Sequence, residues 1–130
     1  MSYDEKYNRA NYPEGYTSVS ETDPDGKDPH AGGAKLDFGK PRVGLMFQDF
    51  PRALLAVAAV TTYGAKKYTE SGWLAVDNAL DRYEDAKGRH LLQGHIEQRD
   101  ADSEHYHLSM EAWNALAVLE LYLRGTEENG

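Results

Sequence analysis

Two stretches in the second half of this 130-residue chain place acidic and histidine side chains at helical spacing. Between residues 77 and 94, Asp77, Asp81, Glu84 and Asp85 recur three and four apart and so share one helix face. Between residues 104 and 124, Glu104, His107, Glu111 and Asn114 do the same. Carboxylates gathered from two facing helices suit a hard divalent cation, magnesium above all, which takes oxygen ligands and keeps several waters. Such an ion meets its substrate through phosphate oxygens and neutralises charge in the transition state. The competing reading is an ordinary solvated acidic face, and for Asp77 and Glu104 it is the better one. Glu84, Asp85 and Glu111 carry the stronger case. Glu111 stands among Leu108, Met110, Ala112, Trp113 and Leu116, where a bare carboxylate is costly without a partner. Like charges crowded on the neighbouring helix repel unless a cation lies between them.

Four of the five histidines fall between His90 and His107. His105 and His107 are two apart and cannot share a ligand face on a helix. There is no HExxH and no HD dipeptide, which argues against zinc or di-iron chemistry. His95 and His105 read as surface residues, His90 and His107 as polar groups within a cleft. A basic stretch precedes the acidic helices: Lys35, Lys40, Arg42, Arg52, Lys66 and Lys67 stand against only Asp37 and Asp49. It suits phosphates gripped by cations while a metal approaches from the other side; simple salt bridging between oppositely charged parts of the fold is the alternative. No Walker loop, GxGxxG motif or nucleophilic triad is present.

These residues need elements to position them. With 40% hydrophobic residues the chain has material for one domain with a modest core. Residues 1–32, acidic and rich in tyrosine and proline, are expected to form a mobile arm. Residues 33–125 form the helical domain and residues 126–130 a short tail. Within the domain, GAKLDFGKPRVG from Gly33 to Gly44 reads as an extended basic loop. A first helix is expected over 49–63, with Asp49 as cap, Pro51 in the first turn and Gly64 past the end. A second is expected over 77–94 and a third over 104–124, with Asp102 or Ser103 as cap and Gly125 as stop. Leu80, Tyr83, Leu91, Leu116, Leu119 and Leu123 are expected to pack the last two helices together. No segment alternates like a sheet strand, so the fold class is mainly α. The net charge of −8 argues against nucleic-acid polymers and anionic membranes as partners. The absence of cysteine excludes disulfides and fits a reducing cytoplasm. The longest apolar run, Ala53 to Val60, is too short for a bilayer.

The short motifs GGAKLDFGKPRVGLM (32–46), TYGAKKY (62–68), Gly72-Trp73, Arg89-His90-Leu91 and HLSMEAWNAL (107–116) occur in this order. In this the chain resembles the small phage-borne domain labelled dATP/dGTP diphosphohydrolase, a relative of the MazG-like all-α nucleotide pyrophosphohydrolases. The resemblance implies a MazG-like helical bundle that splits a purine dNTP between its α- and β-phosphates, giving dNMP and pyrophosphate with magnesium. It implies metal ligands at ExxE and ExxD spacing. Asp81-Arg-Tyr-Glu84 and Glu111-Ala-Trp-Asn114 stand at that spacing, with Asp in place of the first Glu and Asn in place of the final Asp. Asp85 competes with Glu84 as ligand. On this reading Glu84, Asp85 and Glu111 are the catalytic metal-holding residues, assisted by Asp81 and Asn114. Lys35, Lys40, Arg42, Lys67 and Arg89 hold phosphates, His90 and His107 add polar contacts, and Tyr68 or Trp73 stacks on the base. The partner is a nucleotide, and the expected assembly is a homodimer or homotetramer. Because Asn114 removes a charge, a protein that only sequesters nucleotides is the alternative. The net charge alone suggests a third, an acidic mimic of DNA.

Overall fold

The computed structural model describes residues 21–128, so the first twenty residues of the expected arm lie outside the described residues. The described part is mainly helical. In chain order it holds α1 (Val43–Asp49), α2 (Pro51–Lys67), a 3-10 turn (Gly72–Ala75), α3 (Ala79–Gly94) and α4 (His107–Glu128). The single β feature among the described residues is an isolated antiparallel bridge between Arg99 and Tyr106. No single described helix is long and apolar enough to cross a membrane. The chain divides into two compact units, residues 1–46 and 47–130.

In the first unit the backbone wraps around one carboxylate. Asp23 accepts hydrogen bonds from the backbone N–H groups of Lys35 (2.8 Å), Asp25 (2.8 Å) and Lys27 (3.3 Å). Those bonds, the one from Lys35 foremost, hold its carboxyl below the usual carboxylate range. The Phe38 N–H donates to the Thr22 carbonyl at 3.0 Å, and Lys40 pairs with Glu21 at 3.1 Å. The basic loop is therefore a closed turn system, organised from residues 21–28.

The helix boundaries depart from expectation where glycine was taken as a stop. Pro51 opens α2 as expected, with Phe50 rather than Asp49 at the cap position. The helix then runs through Gly64 to Lys67. A helical glycine costs only about 1 kcal/mol relative to alanine, and the two closing lysines favour the negative helix end. Gly125 likewise lies inside α4. The preceding α1 was not expected, because Pro41 before it and Gly44 within it mark the segment as a loop. Asn78 stands before α3 in the left-handed region at φ 53°, which asparagine tolerates better than most residues.

In the second unit α4 packs against both α2 and α3, and α3 also contacts the 3-10 turn. Of the residues expected to join α3 to α4, Tyr83 does so, meeting Trp113 of α4, but Leu80, Leu91, Leu116 and Leu119 remain exposed. An aromatic triangle takes that role. Trp73, Tyr83 and Trp113, one each from the turn, α3 and α4, meet edge to face with centroids 6.0, 5.6 and 5.6 Å apart. The Tyr83 hydroxyl donates to the Trp73 carbonyl at 3.2 Å, and burial raises its pKa. Each edge-to-face pair contributes about 0.5–1.5 kcal/mol beyond the area it buries. Small Ala117, 3% exposed, lets α4 approach its neighbours closely. Trp113→Ala should therefore cost about 3 kcal/mol, read as a lower denaturant midpoint in chemical unfolding followed by circular dichroism.

Candidate active site

The triangle forms the inner wall of a cleft of about 1230 Å³ that lies wholly within the second unit. The end of α2 and the following connector bring Lys67, Tyr68 and Trp73 to it; α3 brings Arg82, Asp85, Arg89 and His90; α4 brings Trp113 and Asn114. The α3–α4 connection adds Asp100 and Asp102. Neither aspartate was counted as a site residue from the sequence; Asp102 was expected only as a cap for the last helix, which instead begins at His107. The signal was turn chemistry. Asp100 accepts from the Ser103 N–H at 2.9 Å and the Ser103 hydroxyl at 2.8 Å, and the N–H bond leads in holding its carboxyl below the ordinary range. Arg99 closes the same loop. It donates to the Glu104 carbonyl at 3.0 Å and the Tyr106 hydroxyl at 2.8 Å, with its guanidinium 4.1 Å from the Tyr106 ring centre.

The expected site residues separate into groups. Lys67, Tyr68, Trp73, Asp85, Arg89, His90 and Asn114 share the cleft. Asp81, Glu84, Glu111 and His107 belong to the same unit but do not line it. Glu84 is ion-paired with Lys87, Asp81 is exposed, and Glu111 is half-buried one turn ahead of Asn114. Of the two competing neighbours, Glu84 and Asp85, it is Asp85 that faces the cleft. Lys35, Lys40 and Arg42 belong to the first unit. Among the described residues no three acidic or histidine side chains converge as a protein-built metal cage would require.

Asn114 is 7% exposed and donates its amide nitrogen to the Met110 carbonyl at 2.8 Å. That bond fixes the flip of the amide and leaves Oδ1 as the acceptor. His107 is fully buried behind His90, the two Nδ1 atoms 3.0 Å apart. His105, read from the sequence as a surface residue, is half-buried with its ring edge-on to Tyr63 at 5.3 Å.

The family model for the N-terminal domain of dATP/dGTP diphosphohydrolase matches residues 30–130. The chain belongs to that family. No curated protein and no solved structure matches it. The matched stretch contains every residue of the cleft, so the diphosphohydrolase domain and the cleft coincide along the chain.

Burial, reinforced by His107 and by Arg89, depresses the pKa of His90 from the ordinary 6.5, while Asp100 and Glu111 oppose the shift. Below pH 6.5 the unfolded chain therefore binds a proton that the folded chain resists. His90 contributes stability that is present above pH 6.5 and lost as the pH falls below it. The melting temperature should decline between about pH 7 and pH 5. His90→Gln should flatten that decline in differential scanning fluorimetry.

Proposed function

We propose that the chain hydrolyses a purine deoxynucleoside triphosphate between its α- and β-phosphates, releasing dNMP and pyrophosphate. The observation that carries this reading is the composition of the cleft: three cations, four carboxylates and an open aromatic ring around one cavity in a diphosphohydrolase domain. Lys67, Arg82 and Arg89 offer charge-assisted hydrogen bonds to phosphate oxygens. Tyr68, 73% exposed, offers its ring to a base, while Trp73 is already engaged in the aromatic triangle.

Magnesium is part of the proposal. The ion commonly takes one or two carboxylates, keeps waters and completes its shell with substrate phosphates. Asp85 and the Oδ1 of Asn114 fit that demand, and they are the residues that would hold it. Bound there, magnesium supplies charge neutralisation on the phosphates and a more acidic water. The chain's own groups do the rest: the cations orient the phosphates, Tyr68 covers the base, and the triangle walls off water on the inner side. The asparagine lowers the charge of the site, which keeps nucleotide sequestration without turnover as the second reading.

A panel of dNTPs with magnesium, the products resolved into monophosphate, diphosphate and pyrophosphate, tests the activity. Pyrophosphate release from dATP or dGTP is expected; tight binding with no product would establish sequestration instead. Asp85→Asn should lower turnover by at least about 100-fold. Glu84→Gln should change it little, since it removes only an exposed ion pair.

We also propose that the protein works as a homo-oligomer in the cytoplasm. Along one stripe of α4, Leu108 is 75%, Leu116 50%, Leu119 53% and Tyr122 59% exposed, an apolar face that a second copy can cover. Light scattering at micromolar concentration should give two or four times the chain mass of 14.6 kDa. A monomer would contradict the assembly.

A further inference from the structure

The two histidines behind the cleft obey a strict proton count. A 3.0 Å contact between the Nδ1 atoms of His90 and His107 needs one hydrogen between them, since two lone pairs or two N–H groups would repel. The other nitrogen of His107, Nε2, lies 3.5 Å from Glu97 Oε1. Glu97 is 53% exposed, and an ionised carboxylate only accepts, so His107 Nε2 carries hydrogen. A neutral His107 protonated there presents a lone pair at Nδ1. His90 must then donate from its Nδ1, which leaves its Nε2 bare.

That bare nitrogen is accessible. His90 lines the cleft. Among the described residues its Nε2 has no hydrogen-bond partner, and none of their buried side-chain nitrogens or oxygens lacks one, which places the atom on the open side of the ring, toward the cleft. His107 is held in place at the start of α4, 0% exposed, its N–H donating to the Gln98 carbonyl at 2.9 Å. Gly94, at the end of α3, leaves ordinary contact distance for the His107 Cβ: an added methyl would sit 3.5 Å from it.

We propose that Glu97 and His107 are positioning residues that set the tautomer of His90 and make its Nε2 the proton acceptor of the cleft. The proposal rests on the hydrolytic reading of the site. As the water oxygen bonds to the α-phosphorus, the bond to the pyrophosphate oxygen breaks and that oxygen keeps the electron pair. One proton of the water passes to His90 Nε2. The proton on His90 Nδ1 crosses to His107 Nδ1, and the one on His107 Nε2 passes to Glu97, which releases it to solvent. The charged and titratable groups that act on His90 are Arg89 on its own helix, Asp100 from the connection, and Glu111 and His107 from α4. Burial leads in keeping the ring neutral and ready to accept.

The test has a part that needs no substrate. In 15N-histidine-labelled protein at pH 7.5, two-bond proton–nitrogen correlations should show hydrogen on Nδ1 of His90 and on Nε2 of His107. His107→Asn keeps an acceptor where Nδ1 stood and should preserve the His90 tautomer. His107→Leu should release it to the Nε2–H form. In turnover assays across pH, His107→Leu and Glu97→Ala should each lower kcat by roughly tenfold with KM little changed, and His90→Gln by about 100-fold or more. Glu97 is exposed enough for its alanine variant to fold if His107→Leu does not. Reversed tautomers in an active parent, or unchanged kcat in Glu97→Ala, would overturn the relay and leave the hydrolysis standing. The expected tautomers in a parent that turns over no nucleotide would overturn the hydrolytic reading and the acceptor role together, with the tautomer geometry intact.

Discussion

The edge-to-face meeting of Trp73, Tyr83 and Trp113 is the contact on which the second unit depends. It joins three segments, the 3-10 turn, α3 and α4, through large rigid rings whose geometry tolerates little rotation. Rotation of α3 about its axis is thereby limited, and that rotation decides which of its acidic residues face inward. With Tyr83 turned into the triangle, Asp85 and Arg89 come to the cleft while Glu84 turns to Lys87. The carboxylate that matters is thus selected by an aromatic neighbour.

Helical spacing showed the acidic faces in the sequence, and the three longer helices were legible with it. Convergence of those faces was not legible. Residues three and four apart share a face in any helix, but the direction of that face depends on the packing partner. Of the expected packing set, Tyr83 reaches the interface, yet it does so among wide aromatic rings that leave Leu80, Leu91, Leu116 and Leu119 outside. Glycine misled in a similar way. Gly64 and Gly125 read as stops because glycine favours left-handed ends, but neither adopts positive φ here. His90 and His107 were both expected from the sequence as polar groups of the cleft. That one of them lies wholly behind the other, and only His90 lines the cavity, is a consequence of the close approach of the α3 end to the start of α4.

The cleft mixes its charges. Lys67, Arg82 and Arg89 share it with Glu70, Asp85, Asp100 and Asp102, so a chain with a net charge of −8 presents a locally mixed surface. A polyanionic nucleotide approaching it meets attraction at short range and repulsion from the molecule as a whole. Binding in such a site should strengthen as salt screens the long-range repulsion and weaken only when the direct phosphate contacts are themselves screened.

Asn114 shows how a local backbone group can dictate side-chain chemistry. Its amide nitrogen is committed to the Met110 carbonyl one turn earlier on α4. An aspartate in the same rotamer would set a carboxylate oxygen against that carbonyl, two acceptors in contact with no hydrogen between them. The position is therefore one where amide and acid are not interchangeable: an acid there would demand a new rotamer, a bridging water or a protonated carboxyl. A lineage that adopted the asparagine would be held there by its own helix backbone, even under selection for a more strongly charged site.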